Sequence, residues 1–367
     1  MGFTILPDRK VDLQFMTYEG NGIHLDKFKK VYEVQYVYFP ENSHNNRKKL
    51  KPRAERICRF CGKDASKTSF KKKAHKISRL FGNNYGVSDY ECDICNHHFS
   101  TFESSTSDFI GINRTIFALG KESVPVYKAP DGSIEAREET IYNQKAVEIS
   151  AKVPGLIKNI GDKGEIEMNF KSNSYIPLNV YKSLLKIALT IMPEEDIANY
   201  RLAIKFLLQG QNTLAFESQA TQIFRSQLGG EVVRPYTMLY KKIDPKSLLP
   251  SHIFQIYYQD TCLQFHLPFS LADQRLKKGE VISMPMCPPM MVIDEPMPGK
   301  ASYSIIDLSS NEKITSESRK LYLNFDKEEL LKNVPINFDT GEVSDQAFDP
   351  DEIVKIYFTR HDSKNSF

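Results

Sequence analysis

ICRFCGKDASKTSFKKKAHKISRLFGNNYGVSDYECDICNHHFSTFE, residues 57–103, holds four of the chain's six cysteines as two tight pairs, Cys58-x-x-Cys61 and Cys92-x-x-Cys95, flanking a 30-residue insert. Two residues between cysteines is the spacing of a knuckle turn, and two knuckles supply the four thiolates of a tetrahedral zinc site. Two such pairs within one short segment outweigh chance spacing or the redox use of a single pair. Four sulfurs close the coordination sphere, so the zinc implied is structural and takes no part in catalysis. Cys262 and Cys287 stand alone in apolar, strand-like surroundings and read as core residues.

The same stretch is basic. Arg47 to Arg79 contains 14 Lys and Arg against Glu55 and Asp64, a local charge of +12 in a chain of net charge +3, so the remainder carries −9. A positive stripe on an otherwise acidic chain attracts phosphate. The plain alternative is a solvated basic loop.

Working outward, 367 residues suit two domains, or one domain with a large elaboration. The apolar share of 41% and charged share of 26% are those of a globular protein with a sizeable core. Met1–Lys10 lacks a cleavage signal and Leu6 breaks a myristoylation motif. The longest apolar run, Met284–Ile293, is short and interrupted by Pro285, Pro288 and Pro289, so no membrane span is expected. Cysteines without a secretory signal suit metal binding in a reducing cytosol, and a cytoplasmic location is expected.

The first 45 residues read as a β-rich lead-in, with Lys30–Phe39 (KVYEVQYVYF) alternating as a half-buried strand stopped by Pro40. Ile110–Val153 reads as strands and linker, with RTIFAL and VPVYKA as short apolar runs and Pro130-Asp131-Gly132 as a turn. A helix is expected from Asn179, taken as its N-cap, burying Tyr181, Leu184, Leu185, Ala188 and Ile191 and ending at Pro193. Pro193 then opens a second helix with Glu194, Glu195 and Asp196 at its positive end, burying Ile197, Tyr200, Ala203, Phe206 and Leu207 as far as Gly210. VVRPYTMLY, HIFQIYYQ, CLQFHLPF and ASYSIIDL read as strands. Met284–Met297 reads as a proline-ridden loop packed on a sheet, with an adaptable contact surface as the lesser reading. His266 is expected to be a satisfied sheet histidine, and Lys241, Lys242, Arg275, Lys277 and Lys278 ordinary surface charges. The tail after Arg360 is polar.

Inside the insert, Ala74-His75-Lys76-Ile77, Phe81-Gly82-Asn83 and Tyr90-Glu91-Cys92-Asp93-Ile94-Cys95-Asn96 follow the first cysteine pair in order. The segment resembles the HNH endonucleases, the ββα-metal nucleases, and within them the group with the signature CxxC, AH-x-I, LG-N and YEC-x-x-CN. The resemblance covers about 55 of the 367 residues. It implies that His75 is a general base drawing a proton from water, a role that suits an imidazole titrating near neutrality. It implies that Asn96 helps hold a catalytic Mg²⁺ or Mn²⁺, and that the middle asparagine orients His75. That orienting residue is Asn83, Asn84 or Asp89. Ala74 stands where many members carry an acidic metal ligand, leaving Asp89, Asp93, His97 or His98 to supply it, and Ser78 replaces a common proline. Lys71, Lys72, Lys73, Lys76 and Arg79 are the expected phosphate anchors, positioning a backbone without reading its sequence.

The expectation is therefore an α+β protein: a β-rich segment at 1–54, a zinc-stapled HNH module at 55–110, a strand-containing linker at 111–150 and a C-terminal α+β recognition or sensor domain at 151–367. The resemblance implies a phosphodiester hydrolase acting on nucleic acid, with double-stranded DNA as partner, of the kind found in restriction and defence proteins. A homo-oligomer, or a small effector or protein partner on the C-terminal part, stays open. Two rivals are a non-catalytic zinc ribbon that binds nucleic acid through the basic stripe, and a nuclease gated by a ligand on the C-terminal part.

Overall fold

The alternating and apolar runs form antiparallel strands in the computed structural model. It describes residues 2–4, 12–17, 21–40, 50–118, 124–141, 144–159, 165–209, 219–228, 232, 234–273, 284–292, 301–315, 317–324 and 354–359. In chain order the elements of the first half are β1 (Gly2–Thr4), β2 (Asp12–Thr17), α1 (Gly22–Lys29), β3 (Tyr32–Tyr38), β4 (Ala74–His75), β5 (Val87–Ser88), α2 (Asp93–Ile110), α3 (Asn113–Ile116), β6 (Tyr127–Lys128), β7 (Ile134–Ile141), β8 (Gln144–Ala151), β9 (Ile157–Asn159) and β10 (Glu165–Lys171). The second half adds α4 (Pro177–Ile191), α5 (Glu194–Ile197), α6 (Arg201–Gln209), β11 (Gln222–Gln227), β12 (Tyr236–Lys242), β13 (His252–Tyr258), β14 (Thr261–His266), β15 (Met290–Val292), β16 (Ser302–Asp307), β17 (Ser318–Asn324) and β18 (Lys355–Thr359). Every pairing between these strands is antiparallel, and with the helices this makes the chain α+β. Contacts divide it into two compact units, Met1–Thr106 with Ile176–Glu312, and Ser107–Tyr175 with Lys313–Phe367.

The first unit is built on a six-stranded sheet in the order β16-β11-β14-β13-β12-β3. β13 lies inside it and is buried at all seven positions, as a strand covered on both faces must be. One face packs Tyr236, Met238, Ile253 and Tyr257 with Leu25 and Phe28 of α1, and Phe28 stacks on Tyr32. The lead-in thus contains a helix that strand alternation does not reveal. On the other face Phe254 and Phe265 pack together, and Tyr181 of α4 meets Phe265 edge-on. Gln255 is tolerated in this core because Tyr240 and Tyr257 donate to its Oε1, at 2.8 and 3.0 Å, and its Nε2 donates to Gln264 at 2.9 Å. Cys262 and Cys287 are buried and unoxidised. From the Met-rich stretch, residues 290–292 form β15, paired with β2, so that part is a strand; residues 293–297 lie outside the described residues.

α4 starts earlier than its apolar periodicity suggests. Pro177 occupies its first turn and Ile176 precedes it, which leaves Asn179 inside the helix and not at its cap. It is buried on all sides, Lys182 and Lys186 included. Its continuation after Pro193 is α5, a 3₁₀ turn at Ala198–Tyr200, and α6, with Tyr200, Ala203, Phe206 and Leu207 buried; Gly210 lies outside the described residues. Lys241 and Lys242 are not simple surface charges. Lys242 is buried against Asp273 (3.0 Å), with Leu249 O accepting at 3.0 Å, and Lys241 pairs with Asp196 at 2.9 Å. Arg275, Lys277, Lys278 and the tail after Arg360 lie outside the described residues.

The second unit contains the sheets β17-β10-β9 and β18-β8-β7-β6. Ile134, Ala136, Val147, Ile149, Ile157 and Met168 form its core. Pro130-Asp131-Gly132 makes the expected turn, with Gly132 at φ +67° and its N–H donating to Ala129 O at 2.9 Å. Asn113–Ile116, inside the run read as a strand, is a short helix.

Candidate metal centre

The first knuckle is closed by its backbone: Gly62 N donates to Cys58 O (2.8 Å) and Cys58 N to Lys63 O (2.9 Å). The turn needs Gly62 at φ +70°, a left-handed conformation that a Cβ would strain. The second knuckle is the start of α2, with Cys92 just before the helix and Cys95 in its first turn. The four Sγ atoms all lie within 4.8 Å of one another, and Cys61 Sγ is 3.7 Å from Cys92 Sγ. A tetrahedral ion with metal–sulfur bonds of about 2.3 Å needs sulfurs about 3.8 Å apart. The donor set and its spacing therefore fit a metal ion and are compatible with structural zinc.

The clustered thiols set one another's protonation. The hydrogen bond from Cys95 lowers the Cys58 thiol to about 5, ahead of the opposing effect of burial. Cys61 is pushed up to about 11 by burial and then by the neighbouring sulfurs. Cys95 is raised well above the ordinary thiol range, first by its bond to Cys58 and then by burial. One thiolate is sheltered by its neighbours, but four close together repel unless a cation balances them.

Three contacts lock the knuckles to the rest of the first unit. Arg59, between the first two cysteines, sends Nη1 to the carbonyls of Leu189, Thr190 and Met192 at 2.9, 2.9 and 2.8 Å, and Nη2 to Glu194 at 2.6 Å. It grips the carbonyl-rich end of α4, where a cation is favoured, and lies over the Tyr90 ring. Phe60 meets Phe99 of α2 edge-on, 4.7 Å between centroids. The Asp93 carboxylate accepts from Ser69 Oγ (2.6 Å), Lys71 N (3.0 Å) and Lys72 N (2.8 Å), so it fastens the basic loop to the first turn of α2.

Between the knuckles, β4 and β5 form a two-stranded hairpin with His75 opposite Val87. Ser78 Oγ accepts from Leu80 N at 3.4 Å, Gly82 ends the following turn at φ +94°, and Phe81 packs edge-on against Tyr258. Asn83 is buried: its Nδ2 donates to Ile77 O (2.7 Å) and Gly86 O (3.0 Å), and its Oδ1 accepts from Gly86 N (2.8 Å). Lys76 N also donates to Gly86 O, at 3.0 Å. Asn83 therefore fixes the loop that closes the hairpin, and its reach toward His75 runs through the backbone at Lys76. Gly86 has no room for a side chain, since a Cβ there would sit 2.0 Å from Tyr38 Oη.

The remaining site residues fall as follows. His75 is half-buried, and its backbone carbonyl accepts from Lys186 Nζ at 3.2 Å. Asn96 lies one turn inside α2, with its N–H bonded to Cys92 O. His97 is exposed. His98 packs on Phe99 and Phe102, and its Nε2 lies 2.8 Å from Leu207 O, which commits it to packing. Asp89 accepts from Lys51 N at 3.1 Å, and Asn84 is half-buried. Lys71, Lys72, Lys73 and Arg79 are exposed, while Lys76 is half-buried over the Tyr38 ring. Arg59, Glu91 and Lys186 were not singled out from the sequence. Arg59 carried a signal in its place between the cysteines, whereas nothing near Lys186 in the chain points to the hairpin.

No protein-family model, curated protein or solved structure gives a significant match to this chain. Among the described residues no helix is long and apolar enough to cross a membrane.

Proposed function

We propose that this protein is a divalent-metal-dependent endonuclease of the HNH type, acting on double-stranded DNA, with its ββα unit stapled by zinc on Cys58, Cys61, Cys92 and Cys95. The observation that carries the reading is the order β4, β5, α2, with the two strands between the knuckles and the helix starting in the second, and with the four sulfurs converging on one point. That order sets the candidate base on a strand and the candidate ligand Asn96 on the following helix. His75 would take a proton from water attacking phosphorus, and the exposed Lys71, Lys72, Lys73 and Arg79 would hold the phosphate backbone. A bound Mg²⁺ or Mn²⁺ would stabilise charge on the phosphate and the leaving oxygen.

Asp93 and His98 are committed to the loop and to α6, and Ala74 offers no donor, so Asn96, His97 and Asp89 are the residues left to hold that ion. This thin donor set also favours a second reading, a zinc ribbon that binds nucleic acid without cutting it. Incubating the purified protein with plasmid DNA and Mn²⁺ separates the two. The nuclease nicks or cuts, and His75→Ala with its zinc intact does not. Salt-sensitive binding without cleavage under any divalent condition would leave the ribbon.

A further inference from the structure

The nuclease reading places the chemistry within residues 55–110, yet one buried side chain from α4 reaches β4, the residue before Cys92 and α2. Lys186 Nζ lies 3.2 Å from the His75 carbonyl on β4, 2.9 Å from Glu91 Oε2 just before Cys92, and 5.9 Å from the centre of the Phe99 ring on α2. The Lys186 and Glu91 side chains are 4% and 0% exposed. Burying an ammonium and a carboxylate together costs much of what their attraction returns, so stability alone gives weak reason to retain the pair. A donor with three hydrogens that joins a strand carbonyl to a carboxylate at the metal knuckle does fix the distance between them. Neither Glu91 carboxyl oxygen has a hydrogen-bond donor among the described residues, and the ion pair with Lys186 Nζ at 2.9 Å is the contact that balances this carboxylate.

We infer that Lys186 is a positioning residue for His75: its ammonium, anchored by Glu91, holds the His75 backbone in register with α2, so the nuclease site is completed by a helix 111 residues away in the chain. The inference rests on the nuclease reading for its catalytic consequence but not for its geometry. Arg59 supports it from the opposite direction, since the first knuckle grips the end of the same helix.

The test compares wild type, Lys186→Met/Glu91→Leu and Glu91→Gln, each zinc-loaded and full length. The double variant removes both charges and the hydrogen bond from Lys186 to His75 O, while Glu91→Gln keeps the amine. Three quantities are read: zinc content, Mn²⁺-dependent plasmid cleavage resolved into kcat and KM, and the ¹H–¹⁵N signals of the His75 ring without DNA. We expect the double variant to keep its zinc and a KM within about twofold, to lose kcat by about 10- to 100-fold, and to shift the His75 signals. Glu91→Gln should stay within about fivefold of wild type. A double variant with wild-type kcat and unmoved His75 signals overturns the inference. Should the apolar pair shed its zinc, Lys186→Gln/Glu91→Gln keeps the polarity but is too short at 186 to reach His75 O, and the same outcomes apply. Wild-type protein that cuts nothing sinks the nuclease reading; the His75 signals then decide the positioning alone, for it if they move and against it if they do not.

Discussion

Replacing Arg59 with Met tests how the first knuckle is joined to the rest of the molecule. Nη1 carries two hydrogens, so its three carbonyl acceptors at 2.8–2.9 Å share two bonds' worth of donation. A hydrogen bond from a charged donor contributes about 1.5–3 kcal/mol, and carbonyls left buried without a donor add their desolvation cost. The Glu194 contact contributes little, because that side chain is 65% exposed. Methionine keeps most of the volume over Tyr90, so the loss is chiefly polar and should come to about 3–4 kcal/mol. Urea denaturation of the zinc-loaded protein reads it directly, with Glu194→Gln as a control expected within about 0.5 kcal/mol of wild type. Zinc release to a chromogenic chelator should also quicken in Arg59→Met, because the knuckle loses its hold on α4. An Arg59→Met loss below about 1 kcal/mol, equal to the control, would refute the clamp.

The four-sulfur site should bind one zinc per chain by native mass spectrometry, and Cys61→Ser or a strong chelator should remove it together with cooperative unfolding, because site formation and folding are coupled. Burial lowers the imidazole of His266 to about 4 from an unfolded value of about 6.5. The unfolded chain therefore takes up that proton first as pH falls, so the stability tied to this group is whole above about 6.5 and is lost progressively toward pH 4, by up to about 3 kcal/mol. Asp196 acts at lower pH. Burial opposes its ionisation, but His252, Lys241 and Gln35 hold its carboxyl well below the usual range, and its contribution disappears only on further acidification. Denaturation midpoints between pH 4 and 7 for wild type and His266→Gln should diverge accordingly, with the variant flatter.

Parts of the fold written in short-range chemistry were legible in the residues. Cys58-x-x-Cys61 is a closed local turn, and its meaning does not depend on where the chain goes next. The Phe81-Gly82-Asn83 element also had a local cause: a glycine in the left-handed region ends a turn, and an asparagine bonds three residues onward. The strands at 252–258 and 261–266 were visible as apolar, β-branched and aromatic runs. Lys242 and Lys186 were not legible, since a lysine in a sequence shows its charge but not the carboxylate folded against it. Neither was the full burial of α4, because periodicity reports one apolar face and says nothing of a helix whose opposite face is covered by another segment.

The sequence by itself determined the cysteine spacing, the basic insert, the strand runs and the chemistry available at His75 and Asn96. Local stereochemistry and side-chain type suffice for those. Tertiary structure alone decided that the four sulfurs share one point, that Asp93 and His98 are committed elsewhere, and that a lysine from α4 holds the strand carrying His75. Those outcomes depend on distances between residues far apart in the chain, which are set only when the six-stranded sheet, α4 and the knuckles bury their surfaces against one another.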